Sequence, residues 1–166
     1  MTDLNKLLSP LFLSEKEIRK IIELMFFAYR DFTSGPDEVL KKINFGRAHH
    51  RVIYFVGKKD KITIKNLLSI LQITKQSLSR VLNQLVSEKY IIVSESHGND
   101  KRTKSLSLTE KGKKLETQLT KIQINKIKII LKNSEESEIN GLKVMLYKMV
   151  EENNKSKFDD LNSFES

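Results

Sequence analysis

The stretch Thr63–Gly112, TIKNLLSILQITKQSLSRVLNQLVSEKYIIVSESHGNDKRTKSLSLTEKG, decides how the rest of the chain is understood. Thr63 reads as a helix cap, with Ile64, Leu67, Leu68 and Leu71 following at helical spacing. Gln72-Ile73 leaves room only for a turn. Thr74 then caps a second helix, which the periodicity of Leu78, Val81, Leu82, Leu85 and Val86 carries to about Lys89. Two alternating runs follow, Tyr90–Ser96 and Thr103–Leu108, with Leu106 and Leu108 expected inward and Ser105 and Ser107 outward. The loop His97-Gly-Asn-Asp-Lys-Arg102 joins them, and Thr109 opens another helix. Helix, turn, helix, strand, basic loop, strand is the order of a winged helix-turn-helix. Its second helix suits a major groove and its loop a minor groove.

The open face of that second helix carries Gln76, Ser77, Arg80, Asn83, Gln84 and Ser87 and no carboxylate. Such side chains hydrogen-bond base edges and phosphates, whereas an ordinary solvated face mixes Glu with Lys. Charge placement agrees. Of the net +9, residues 1–57 hold nine basic against seven acidic side chains, residues 58–114 thirteen against five, and residues 115–166 eight against nine. Lys outnumbers Arg 24 to 6, but a merely Lys-rich surface would spread the excess evenly. The excess sits instead on the segment expected to face phosphates.

A chain of 166 residues with 39% hydrophobic content suits one domain with an appended dimerisation element. Without Cys there are no disulfides, zinc–thiolate sites or thiol redox sensing. The start, MTDLNKLLSPLFLS, has no basic region followed by an apolar run, and no apolar stretch is long enough for a membrane span. The expected location is cytoplasmic.

Upstream, Ser14 and Glu17 form a capping box for a first helix whose stripe is Ile18, Ile21, Ile22, Met25 and Tyr29. Leu24, Phe27 and Ala28 lie off that stripe, so the helix is apolar on more than one side, as a helix touching a partner chain would be. Phe32-Thr-Ser-Gly-Pro36 is expected to break it, with a short helical piece over Asp37–Lys42. A helix around Phe45–Val56 follows, with Ala48, His49, Val52, Ile53 and Val56 inward and Gly57 ending it. Lys61–Thr63 suggests a minimal strand. Downstream, a long helix runs from Glu110 to about Asn133. Another begins near Ser134-Glu135-Glu136 with a seam of Ile139, Leu142, Leu146, Met149 and Val150. From Asn153 the tail is polar and acidic, with disorder as the default and Phe158, Leu161 and Phe164 as possible docking points. The resulting division is 1–44 as an N-terminal dimerisation arm, 45–114 as the winged helix-turn-helix lobe, 115–152 as C-terminal dimerisation helices and 153–166 as the tail. The fold class is mainly α with a small β-hairpin wing.

The run ITKQSLSRVLNQLVSEKYI followed by SHGNDKRTKSLSLTEKG resembles the MarR family of dimeric winged-helix transcriptional regulators. Asp100 and Arg102 match the Asp-x-Arg of the wing, and Leu108–Gly112 match the closing Leu-Thr-Glu-Lys-Gly. The resemblance is strongest over 45–114, while the flanking helices fit the family's dimerisation arms in order and length. Within the family, FGRAHHRV (Phe45–Val52) is similar to the PetP-like regulators. One departure is Tyr90, where the family commonly has Gly ending the recognition helix; a left-handed cap there would strain a Tyr.

The resemblance implies that Arg102 enters the minor groove with Asp100 fixing its side chain, and that Arg80 contacts a base or phosphate. A narrow groove concentrates negative potential, and a guanidinium is planar and weakly hydrated, so the physics agrees. The DNA-contacting set is Lys65, Thr74, Lys75, Gln76, Ser77, Ser79, Arg80, Asn83, Asn99, Asp100, Lys101, Arg102 and Lys104. Of these, Lys65, Lys75, Lys101 and Lys104 would anchor phosphates. The partners expected are double-stranded DNA and a second copy of the chain. Family members also bind small anionic aromatic ligands between arms and DNA lobe, which implies an effector pocket at Arg47, His50, Arg51 and Tyr54.

Adjacent residues on a helix point about 100° apart, so His49 and His50 do not chelate one ion together; no metal or other cofactor is expected. His49 falls on the apolar stripe, where a hydrogen-bonded core histidine is the commoner outcome. His50 is placed to pair with Tyr54, and Arg47 and Arg51 with carboxylates of the first helix. No phosphate loop or nucleophile motif marks an enzyme. The expected function is a homodimeric, sequence-specific, effector-responsive transcriptional regulator acting as repressor or activator. A winged-helix protein-interaction module and a non-specific architectural DNA binder are the alternatives.

Overall fold

In the computed structural model residues 14–95 and 104–163 are described, and contacts group the chain into two units, residues 1–34 and 35–166. Helix α1 spans Glu15–Lys41. It starts as expected: the Ser14 amide and hydroxyl each donate to Glu17 Oε2 at 2.9 Å, and the Glu17 amide donates back to Ser14 Oγ. These bonds hold the Glu17 carboxyl below its usual pKa.

The expected break at Phe32–Pro36 does not occur, and Pro36 lies inside the helix. Proline leaves the Phe32 carbonyl without its helix donor, and the turn before it carries side-chain bonds of the kind that bend helices: the Thr33 hydroxyl donates to the Tyr29 and Arg30 carbonyls and the Ser34 hydroxyl to that of Asp31. Gly35 serves packing: a Cβ there would lie 2.7 Å from Ile122 Cγ2. The piece expected over Asp37–Lys42 is thus the end of α1. Asn44, left-handed at φ 56°, closes it while the Phe45 amide donates to the Leu40 carbonyl at 2.9 Å.

Helix α2 (Arg47–Lys58) buries Val52, Ile53 and Val56. Ala48 is exposed, contrary to its expected place inside. Gly57 does not end α2. A Cβ there would lie 2.9 Å from Leu108 Cδ1 and 3.1 Å from Glu116 Cγ, so it too is a site of close approach. Strand β1 (Ile62–Thr63), helix α3 (Ile64–Leu71) and helix α4 (Lys75–Ser87) follow. Thr63 and Thr74 cap as anticipated, each accepting from the third amide onward, and left-handed Gln72 makes the turn.

Strands β2 (Ile91–Glu95) and β3 (Lys104–Leu108) complete an antiparallel sheet in the order β1-β3-β2. Leu106 faces Ile62 on one side and Val93 on the other. Because β3 is central, Ser105 lies between Thr63 and Ser94 and is buried, contrary to its expected outward place. Helix α5 (Glu110–Lys132) is capped by Thr109, which accepts the Gly112 amide.

Helix α6 (Glu136–Met149) is followed by α7 (Glu152–Asn162), where the sequence suggested disorder. Aromatic and polar contacts with α6 hold α7: Phe158 meets Tyr147 edge-on at 5.9 Å, and the Tyr147 hydroxyl donates to Asp159 at 3.2 Å. Leu161 lines a small cleft with Lys59, Asn66 and Ile70. Phe164 lies outside the described residues.

One core joins Leu40, Phe45 and the inner faces of α2, α3 and α4 to Ile62, Ile91, Leu106, Leu108, Leu115 and Leu119. Elsewhere large apolar side chains stay exposed: Ile18, Ile21, Leu24, Phe26 and Phe27 on α1, and Leu142, Val144, Met145 and Leu146 on α6. Among the described residues no helix is long and apolar enough to cross a membrane.

Candidate nucleic-acid interface

Helix α4 buries Leu78, Val81, Leu82 and Leu85, which fixes its opposite face in solvent. Thr74, Lys75, Gln76, Ser77, Ser79, Arg80 and Asn83 are all exposed, and no Asp or Glu lies within Lys75–Ser87. Two of these side chains serve the helix start. Thr74 Oγ1 accepts the Ser77 amide at 3.1 Å and donates to Ser77 Oγ at 2.9 Å. Those bonds stiffen the first turn and leave Lys75, Gln76, Ser79, Arg80 and Asn83 as the outward polar set. Lys65 on α3 and Lys104 at the start of β3 are exposed as well. Asn99, Asp100, Lys101 and Arg102 lie outside the described residues, as does His97.

Between α4 and the sheet lies a groove of about 560 Å³ with Leu78, Leu82, Val86 and Val93 in its floor. Lys75, Ser79, Asn83 and Lys104 stand at its rim. Nothing in the sequence reading marks this groove, since Val86 belongs there to the apolar stripe of the second helix.

Helix α4 ends at Ser87, two residues before the expected end. The left-handed residue is Lys89 (φ 62°), not Tyr90, so the strain expected at Tyr90 sits one position earlier. Tyr90 is buried instead. Its amide donates to the Leu85 carbonyl at 2.8 Å, its ring meets Phe45 edge-on at 5.1 Å, and Lys111 Nζ lies 4.0 Å over it. Gly112 explains itself here. A Cβ on it would fall onto the Tyr90 carbonyl oxygen, so the α5 start can lie against that turn only with glycine.

Gln84 departs from expectation. It is half-buried, and its side chain turns back to α2. The Gly46 amide donates to His49 Nδ1 at 3.1 Å, so Nδ1 carries no hydrogen and Nε2 does. Nε2–H therefore donates to Gln84 Oε1 at 2.8 Å. The Gln84 amide nitrogen donates to Glu88 Oε1 at 3.1 Å and to the Asn44 carbonyl at 3.5 Å. Phe45 stacks flat on the imidazole, ring centroids 4.5 Å apart. His49 is thus a hydrogen-bonded structural histidine, as expected. No local pattern betrays its partner 35 residues away.

The four residues expected around an effector share one face of α2, but most are engaged. Arg47 pairs with Asp37 of α1 at 2.8 Å, whereas Arg51 donates to the Leu71 carbonyl at 3.2 Å rather than to a first-helix carboxylate. Tyr54 meets Phe55 edge-on at 5.3 Å, where a pairing with His50 was expected. Burial lowers the His50 pKa, opposed by the charges of Asp37 and Glu116. None of the four lines the groove beside α4.

A family model described as MarR family matches residues 43–103. The HTH-type transcriptional regulator PetP of Rhodobacter capsulatus is 40% identical over 141 residues, which span 85% of this chain and 84% of that protein. Among solved structures, Streptococcus pneumoniae FabT in complex with DNA superposes with a TM-score of 0.71 at 20% identity, covering 80% of this chain and 94% of FabT. A MarR family regulator from Listeria monocytogenes complexed with 26mer DNA gives 0.67 at 24% identity, covering 86% and 94%. At these identities the solved structures establish the fold, a winged helix with flanking helices.

Proposed function

Because this chain belongs to the MarR family of transcriptional regulators, we propose that it works in the cytoplasm as a homodimeric, sequence-selective binder of double-stranded DNA. The carrying observation is the acid-free polar face of α4, held outward by four buried apolar residues. That helix enters a major groove, with Arg80 and Asn83 reaching base edges and Lys65, Lys75 and Lys104 neutralising phosphates. The wing reaches the flanking minor groove through Arg102, positioned by Asp100, with Asn99 and Lys101 beside them.

The exposed apolar residues of α1 and α6 support the dimer, since stripes of that size rarely stay in water. Two copies would present their reading helices about 34–36 Å apart. A small anionic aromatic effector completes the reading, with Arg47 and Arg51 as its cationic groups and His50 and Tyr54 beside them. Its binding would displace Asp37 from Arg47. A salicylate-type titration that neither shows binding nor changes DNA affinity would remove that class of ligand.

The test is fluorescence anisotropy of a labelled duplex from the gene's upstream region, across a salt series, with a scrambled duplex as control. Arg102→Ala is expected to weaken specific binding by about 1–3 kcal/mol, and Lys104→Ala to reduce the salt slope by about one. Weak binding indifferent to sequence and to both substitutions would instead favour an interaction module or an architectural binder.

A further inference from the structure

Four hydrogen bonds converge on His49 and Gln84, and their directions are not interchangeable. The Gly46 amide fixes the imidazole tautomer, the tautomer fixes which end of the Gln84 amide faces it, and the remaining amide nitrogen then meets two acceptors. One of those acceptors is the Glu88 carboxylate, which as an ion has no hydrogen to donate, so the chain of roles is self-consistent. Every polar atom of both side chains is used. Gln84 sits one helical turn beyond Arg80, on the same side of α4. Its other anchor is the turn at Asn44–Gly46 that joins α1 to α2. An apolar pair would fill this half-buried place without choosing a direction. A directional network selects one arrangement of the two helices.

We infer that His49 and Gln84 form a positioning link, setting the placement of the Arg80–Asn83 segment of α4 relative to the α1–α2 turn. The selectivity of the helix for its DNA sequence then depends on a histidine that belongs to α2. The inference rests on the DNA-reading function proposed above, and deepens it by naming residues that govern selectivity without being readers.

Two substitutions separate the roles of the ring. His49→Asn keeps an acceptor near the Nδ1 position for the Gly46 amide and removes the donor to Gln84. His49→Gln keeps a donor near the Nε2 position and removes the cap. Gln84→Met removes the other partner at similar volume. The probe is a duplex enriched from random sequence by the wild-type protein, compared with its scrambled counterpart by anisotropy, alongside thermal unfolding.

Gln84→Met and His49→Asn are each expected to lower the enriched-to-scrambled affinity ratio about three- to tenfold, the size of one lost hydrogen bond. Scrambled-duplex affinity should be unchanged. The double variant should lose no more than either single, and His49→Gln should recover most of the ratio even where its unfolding midpoint falls. Ratios unchanged in both single variants, or losses that simply add, would overturn the link. If the wild type enriches no sequence at all, the DNA-reading function itself fails, and the link with it. A variant that loses scrambled binding in step with its folded fraction would show a merely structural contact.

Discussion

Two regions of the chain use the same apolar vocabulary and meet opposite fates. In the winged-helix region, Leu67, Leu78, Leu85 and Leu106 are fully covered by side chains of their own chain. On the N-terminal part of α1 and along α6, Leu24, Phe26, Phe27, Val144, Met145 and Leu146 remain more than half exposed. Burying such side chains is worth about 1.5–3 kcal/mol each, so the first region closes on itself and the second holds a stabilisation not yet collected. The first is a folding unit. The second supplies the apolar surfaces that the proposed dimer would cover.

The largest expected effects separate these roles. Leu85→Ala should lower stability by about 2–5 kcal/mol, independent of protein concentration, because the cavity lies within one chain. Phe27→Asp should leave the lobe folded and raise the dimer dissociation constant by a hundredfold or more, the scale of a central interface residue. Sedimentation with urea unfolding at two concentrations checks both. A Phe27→Asp protein that remains dimeric, with unfolding as concentration-dependent as the wild type's, would break the comparison.

Glycine offers a smaller contrast with opposite signs. Gly112→Ala forces a methyl onto the Tyr90 carbonyl and should cost about 1–3 kcal/mol. Gly141 in α6 has nothing within 4 Å of an added Cβ, so Gly141→Ala should add about 0.5–1 kcal/mol of helix stability. Both are read from thermal unfolding. Loss instead of gain at Gly141 would mean that a second chain approaches the backbone there, which sharpens the interface by one residue. Of the same size, Lys89→Gly should stabilise by about 0.5–1 kcal/mol, since it relieves a left-handed lysine; no change would relocate the strain at the end of α4.

The lobe was legible because its signals are local. Thr63, Thr74 and Thr109 each cap within three residues, and the apolar spacing of α3 and α4 fixes their inner faces. What the sequence concealed depends on distant partners. Gly35 and Gly57 look like breakers until Ile122 and Leu108 are seen against them. Ser105 alternates outward but is covered because β1 adds to the far side of β3. The candidate reading face was legible down to its lack of acid, except at Gln84. That residue belongs to the polar stripe by spacing and to His49 by hydrogen bonding. Helix α7 was hidden for the same reason, since its contacts are to Tyr147 and not within its own polar sequence.

The smallest effect at neutral pH tests whether the lobe is closed around its titratable groups as well as its apolar ones. Burial lowers the His50 pKa below its ordinary 6.5 despite the charges of Asp37 and Glu116. Neither carboxylate serves His50 alone, because Arg47 holds Asp37 and the Thr120 hydroxyl donates to Glu116. The folded state therefore binds the His50 proton less tightly than the unfolded chain does. Well above pH 6.5 both states are neutral there and nothing is lost. As pH falls from 6.5 through the lower folded value, the unfolded chain takes up the proton first and stability declines. His50→Gln should remove that part of the decline, seen as a shallower fall in urea midpoint between wild type and variant on acidification. Asp37→Asn should make the fall steeper by removing a charge that favours the imidazolium. Parallel profiles for wild type and His50→Gln would mean that the imidazole is solvated in the folded protein, and that the lobe is more open along α2 than its apolar packing indicates.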